Sequence, residues 1–165
     1  MAFVIQWNEV DCSGVQEAIK INTPAGSLVF YTQQEVITQI KWQSINIPLS
    51  ENHELQRKFN HFFSNIQQEI YIKLLRQGSA YRQLVWAEIT NIPFGETITY
   101  TELAGKINSS PRAVGNACRD NPYPLIIPCH RVVAVSGLGG YYGQTQGGFM
   151  DIKSKLLNFE AAHKK

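Results

Sequence analysis

The tetrapeptide Pro128-Cys129-His130-Arg131 sets a thiol next to an imidazole, directly after the apolar run Leu125-Ile126-Ile127. Cysteine attacks carbon as a thiolate, so a working site needs a base or positive charge near the sulfur and a backbone that aims it. Pro128 fixes one backbone torsion there. A Cys-His dipeptide also has a plain reading: neighbours in sequence point in different directions, and most buried cysteines are small core residues. The surrounding sequence has to decide between them.

Those surroundings are Arg112-Ala113-Val114-Gly115-Asn116-Ala117-Cys118-Arg119-Asp120-Asn121-Pro122, then Pro124, and then Ile127-Pro128-Cys129-His130-Arg131-Val132-Val133. Upstream stand Trp86 and Ile92-Pro93-Phe94-Gly95-Glu96-Thr97-Ile98-Thr99-Tyr100. Downstream stand Gly137, Gly139-Gly140-Tyr141-Tyr142, Gly147-Gly148 and Lys155-Leu156-Leu157 to Glu160. In order and spacing these blocks closely resemble the O6-alkylguanine-DNA alkyltransferases. The resemblance covers roughly the C-terminal half of the chain; the first 78 residues show only a compatible pattern.

The resemblance implies single-turnover DNA repair, in which the alkyl group of O6-alkylguanine, and of O4-alkylthymine, passes irreversibly to Cys129. Such a group lies inside the duplex, so the nucleotide must be extruded into a pocket. Cys129 is then the acceptor, His130 the base that takes its proton through a bridging water, and Glu160 the group that holds the imidazole in one tautomer. Tyr100 matches the tyrosine that helps rotate the nucleotide and gives its hydroxyl proton toward guanine N3. A half-buried aromatic with a wet hydroxyl is its plain alternative. Asn121 is expected to brace the active-site turn through bonds to the backbone, and Arg131 to anchor structure. Pro124, the backbone of Val132 and the ring of Tyr142 are expected to line the base pocket.

For DNA, Arg112 matches an arginine finger that fills the gap in the base stack, the simpler alternative being a phosphate contact. Ala113, Gly115 and Ala117 are the small residues that let a helix backbone approach the minor groove closely. The implied partner is double-stranded DNA carrying O6-alkylguanine, met by a monomer without metal or cofactor. Two other readings stay open: a non-catalytic lesion-binding protein of the same architecture, against which Cys129 argues, and a winged helix-turn-helix regulator. The latter calls for a dimerisation segment and a more basic recognition helix. Gln144-Thr145-Gln146 lengthens the loop relative to human-type proteins, Gly143 replaces a hydroxyl residue, and Cys118 is a thiol that some members lack, with packing as its plain role.

Composition agrees with a soluble globular protein: hydrophobic residues are 44% and charged residues 17% of the 165. Net charge is +2, divided unevenly; residues 1–79 carry 6 basic and 7 acidic groups, residues 80–165 carry 9 and 6. That is a modest footprint for phosphates, so shape must contribute to DNA affinity. No run of about 18 apolar residues is present for a membrane span, and Met1 to Glu9 lacks the basic start and long apolar core of a signal peptide. A cytoplasmic protein, nucleoid-associated when on DNA, is expected. Cys12, Cys118 and Cys129 are odd in number and widely spaced, which suits a reducing compartment. His53 and His61 do not share a helical face at metal-ligand spacing, so no structural zinc site is expected.

The elements that must position this chemistry follow from periodicity. Val15 to Ile21, Ser27 to Thr32 and Val36 to Trp42 read as antiparallel strands, with a turn at Thr23-Pro24-Ala25-Gly26. Ser50 caps a helix whose acidic first turn includes Glu51-Asn52-His53-Glu54 and whose apolar positions are Leu55, Phe59, Phe62, Phe63 and Ile66. Ile70, Ile72 and Leu74 mark a short extended segment before a boundary at Gln77-Gly78-Ser79. A helix then spans about Tyr81 to Ile92 with Trp86 buried. Thr99 caps a helix to about Ile107, and Ser110 caps another, with Pro111 at its first position, running to about Arg119. These make a helix-turn-helix over about 99–120. Val132 to Val135 reads as a strand, Gly137 to Gly148 as a glycine-rich loop and Asp151 to Ala162 as a closing helix. The expected fold is α/β: an N-terminal domain, residues 1–78, with a small antiparallel sheet and a helix, and a mostly helical C-terminal domain, residues 79–165. The family resemblance implies a ribonuclease H-like form for the first and a winged helix-turn-helix for the second.

Overall fold

The computed structural model describes residues 2–42, 50, 51 and 53–164. The chain divides into two compact units, Met1–Gln77 and Gly78–Lys165. In the first, strands β1 (Ala2–Asn8), β2 (Glu17–Thr23), β3 (Gly26–Gln33), β4 (Val36–Trp42) and β5 (Glu69–Leu75) form one sheet in the order β1-β5-β4-β3-β2, with helix α1 (Glu54–Ser64) between β4 and β5 in sequence. The β2–β3 turn is held by Thr23, whose hydroxyl donates to the Gly26 carbonyl at 2.7 Å and accepts from Ala25 N–H at 3.1 Å. β2, β3 and β4 pair antiparallel, but β5 pairs parallel with both β1 and β4. The sheet is therefore mixed rather than antiparallel, because a strand reached through a helical crossover returns in the same direction. β1 was not anticipated; its Phe3 ring packs on Phe59 and Phe62 of α1, at 5.8 and 5.0 Å between centroids.

The cap of α1 also differs from the sequence reading. His53 is the cap: its Nδ1 accepts from Leu55 N–H at 3.1 Å, and Gln56 reaches back to His53 N–H at 3.0 Å. Ser50 instead pairs with Ile19 beside β2, its N–H donating to the Ala18 carbonyl. Asn52 lies outside the described residues. Phe59 and Phe62 are buried on the helix face turned to the sheet, while Ile66 falls beyond the last turn.

The second unit holds α2 (Ala80–Thr90), a two-residue strand β6 (Ile98–Thr99), α3 (Tyr100–Lys106), α4 (Pro111–Arg119), a 3-10 turn at Cys129–Arg131, β7 (Val132–Val133) and α5 (Gly148–His163). Thr99 caps α3 in a reciprocal box with Glu102, and the Ser110 hydroxyl accepts from Ala113 N–H with Pro111 at the helix start. Each cap satisfies backbone donors that a helix start leaves orphaned. Trp86 of α2 is buried and donates its indole N–H to the Ala117 carbonyl at 2.8 Å, which seats α4 on α2. β6 and β7 pair parallel, Ile98 with Val132 and Thr99 with Val133. That short ladder ties the start of α3 to the end of the Cys129 turn. The strand after Cys129 is shorter than its apolar run suggests, and α5 begins earlier than Asp151. No helix among the described residues is long and apolar enough to cross a membrane.

Candidate active site

Cys129 opens a 3-10 turn whose approach is tightly wound. Leu125 is buried in the left-handed region at φ 73°, Ile127 N–H donates to the Tyr123 carbonyl and Arg131 N–H to the Pro128 carbonyl. Asn121, itself buried, braces this loop from the end of α4. Its Nδ2 donates to the Ile127 carbonyl at 2.8 Å and to Cys129 Sγ at 3.2 Å, while its Oδ1 accepts from Tyr123 N–H at 2.9 Å. Burial pushes the Cys129 thiol up; the Asn121 amide, the Lys153 charge and the Tyr142 hydroxyl pull the other way without overcoming it. The resting group is therefore a thiol, and reaction requires a base.

His130 and Glu160 meet at 2.8 Å between Nε2 and Oε1, both closed to solvent. Arg131 closes the cluster. Its Nε lies 2.9 Å from Glu160 Oε2, its Nη2 2.8 Å from Oε1, and its Nη1 donates to the Ile92 carbonyl at 2.7 Å. Burial pushes the Glu160 carboxyl up, but the hydrogen bonds and charges of His130 and Arg131 outweigh it and bring the group down to about 2. Burial also lowers the His130 imidazole, against the opposing pull of Glu160. The ring is thus neutral at pH 7 and donates Nε2–H to a carboxylate, which leaves Nδ1 with its lone pair free. Nδ1 is buried with no hydrogen-bond partner.

A cavity of about 430 Å³ opens over the sulfur, walled by α4 on one side and the 140–145 loop on another. Tyr100, Cys118, Cys129, Gly140 and Tyr142 all face it. The Tyr142 hydroxyl donates to the Asn121 carbonyl at 3.0 Å, and Tyr100 donates to the Gly140 carbonyl at 3.2 Å. Pro124 and Val132, singled out as pocket wall, are buried and stand outside the residues that line this cavity. The Val132 carbonyl already accepts Lys153 Nζ at 2.6 Å.

Lys153 is the residue the sequence reading missed. It is fully buried on α5, bonds the Gly140 carbonyl at 2.9 Å as well, and lies 5.7 Å from the Tyr100 ring centroid. It links the strand leaving Cys129 to the loop that walls the cavity. Burial lowers its ammonium to about 8. A signal was available: Lys153, Leu156 and Glu160 fall at i, i+3 and i+7, one face of α5, and all three are buried.

On α4, Arg112, Asn116 and Arg119 are exposed, Ala113 and Gly115 half-buried. Ala117 is not on this surface. It faces the core, 1% exposed, because the same turn must offer its carbonyl to Trp86. Gly115 has nothing within 4 Å of where a side chain would start, so the protein's own packing does not require glycine there. Among the described residues no group of three or more His, Cys, Asp or Glu side chains is placed to hold a metal ion.

Residues 80–162, just over half the chain, match the family model of the 6-O-methylguanine DNA methyltransferase, DNA binding domain. The chain belongs to this family. Among methyltransferase relatives it is similar to the methylated-DNA--protein-cysteine methyltransferase of Archaeoglobus fulgidus, 40% identical over 92 residues that cover 56% of this chain and 63% of that one, just under two thirds of its length. It is also similar to the protein of the same name from Metallosphaera sedula, 32% identical over 145 residues that cover 85% of this chain and 90% of that one. In structure it is similar to Mycobacterium tuberculosis OGT, crystallised in complex with DNA, with a TM-score of 0.71 and 31% identity over 88% of this chain and 93% of that one. The methyltransferase family match falls wholly on the second unit, which carries Cys129, His130 and Glu160.

Proposed function

We propose that this protein repairs DNA by moving the alkyl group of O6-alkylguanine to its own Cys129, once per molecule. The observation that carries this reading is a buried thiol on a cavity wall, next in sequence to an imidazole that Glu160 holds with Nδ1 unprotonated. His130 takes the thiol proton on Nδ1 through a water. The thiolate attacks the alkyl carbon; the carbon–sulfur bond forms, the carbon–O6 bond breaks, and its electron pair returns to guanine. Tyr100 gives up its bond to the Gly140 carbonyl and passes its hydroxyl proton to guanine N3 as the group departs, so the base leaves neutral. The phenolate, near the Lys153 ammonium, takes a proton back from water once guanine has gone.

Lys153 is a positioning residue in this scheme. Its charge favours the thiolate of Cys129, and its two bonds tie the Val132 carbonyl, on the strand leaving Cys129, to the Gly140 carbonyl of the cavity wall. The guanine must leave the stack to reach the sulfur, and α4 is the element that meets the duplex, a winged helix-turn-helix arrangement used in the minor groove. Arg112 fills the space the base vacates, while the open side of Gly115 lets sugar and phosphate come close. Residues 80–165 carry only 9 basic against 6 acidic groups, so phosphate contacts are few and the salt dependence of binding is shallow. The first unit, ribonuclease H-like in this reading, supplies no group to the chemistry. The test is to follow the methyl group of an O6-methylguanine oligonucleotide: it leaves the DNA with the unaltered protein and stays with Cys129→Ser. A Cys129→Ser protein that still clears the methyl group overturns the assignment.

A further inference from the structure

Cys118 has no part in that mechanism, yet it opens on the same cavity as Cys129. α4 turns Pro111, Gly115 and Cys118 to the cavity at helical spacing, so the second thiol shares the face that walls the nucleophile. Asn121 is bonded to both cysteines: its backbone N–H donates to the Cys118 carbonyl at 3.3 Å and its Nδ2 donates to Cys129 Sγ at 3.2 Å. Burial pushes both thiols up, and at Cys118 the neighbouring Cys129 adds to it, which places the two sulfurs within each other's field; the Lys153 charge pulls the other way at each. Both cysteines are free in the structure.

We propose that Cys118 and Cys129 form a two-thiol oxidation site, in which Cys118 turns a peroxide-oxidised acceptor into a reversible disulfide. The Cys129 thiolate attacks a hydroperoxide, breaks its O–O bond and keeps one oxygen as sulfenic acid; the other leaves as hydroxide. The Cys118 thiol then attacks that sulfur, giving up its proton as it does so. An S–S bond forms, the S–O bond breaks, and the oxygen departs as water with the proton of the Cys118 thiol. Two electrons pass from the thiol pair to the peroxide, and a reducing dithiol returns them. Without a resolving thiol the sulfenic acid proceeds to sulfinic acid, which a dithiol does not reverse. The benefit rests on the transfer reading above: an acceptor spent once per molecule is worth preserving for its alkyl group.

The full-length protein carrying Cys12→Ser, which removes the third thiol, is treated with excess hydrogen peroxide, weighed intact and mapped by peptides. The proposal expects loss of the mass of two hydrogens and one linked peptide joining Cys118 to Cys129. Transfer from O6-methylguanine DNA is lost with peroxide and regained with dithiothreitol, measured against the protein's own untreated sample. With Cys118→Ala added, the same treatment adds two oxygens to Cys129 and dithiothreitol restores nothing. Sulfinic acid on Cys129 without a linked peptide overturns the proposal, and this is read on the Cys118-containing protein, whatever the folding of the variant. Absence of transfer before any peroxide instead counts against the transfer reading, since the linked peptide is detected by mass alone.

Discussion

His130 Nε2 and Glu160 Oε1 stand 2.8 Å apart in a space closed to solvent, although thirty residues of chain separate them. A carboxylate accepts only, so the ring must present its proton at Nε2 and its lone pair at Nδ1. Arg131 neutralises the same carboxylate in a forked contact, which makes a buried charge tolerable. One side chain thus sets a tautomer and anchors a turn.

Glu160→Gln should therefore cost both stability and rate. It leaves the buried Arg131 guanidinium without its counter-charge, a loss of about 3–5 kcal/mol, read as a lower Tm. Its pH signature distinguishes the carboxylate itself. Because the folded-state carboxyl lies near 2, below its ordinary 4.5, its stabilisation is complete above that ordinary value. It is lost as pH falls toward 2, amounting to about 3 kcal/mol. Urea midpoints measured from pH 6 to pH 2 should show this acid-dependent loss in the parent protein and a smaller one in Glu160→Gln.

Lys153→Met should slow Cys129 chemistry on substrates that never touch DNA. Removing the ammonium withdraws the charge that favours the thiolate, so the thiol should titrate higher. Iodoacetamide alkylation of Cys129 across pH reads that shift directly. A variant that merely packs badly lowers Tm without moving the titration.

Gly115→Leu should fold at least as well as the parent protein and bind DNA worse. The position is open and helical, so replacing glycine gains about 0.5–1 kcal/mol of helix propensity. In the proposed complex the added side chain stands where the duplex backbone approaches. Thermal melting and DNA affinity, measured together, should move in opposite directions.

Arg112→Ala should impair repair of duplex DNA far more than reaction with free O6-benzylguanine, since in the proposed mechanism the finger supports an extruded nucleotide and does not touch sulfur. Parallel rate measurements on the two substrates check it. Equal losses on both would place Arg112 in folding or in the chemistry.

Much of the second unit is legible because its signals are local. Thr99, Ser110 and Pro111 are caps whose partners lie within three residues, and Pro128-Cys129-His130-Arg131 is contiguous. What the sequence hides is set by distant partners. Nothing next to Lys153 in the sequence marks its role, since the Val132 and Gly140 carbonyls that receive it lie 21 and 13 positions upstream. Ala117 reads as a small surface residue until Trp86 claims its carbonyl. The parallel pairing of β5, and β1 itself, depend on a crossover that hydrophobic alternation does not encode. At α1 a nearer polar side chain, His53, takes the cap from Ser50 because its ring nitrogen reaches Leu55 N–H.

The most direct test of the account is stoichiometry on the acceptor itself. Protein incubated with an excess of duplex DNA containing O6-methylguanine is weighed intact and mapped by peptides. The account predicts a gain of one methyl group per chain, located on Cys129, with transfer stopping at one equivalent. Continued turnover without fresh protein, or a methyl group on Cys12 or Cys118, would contradict it.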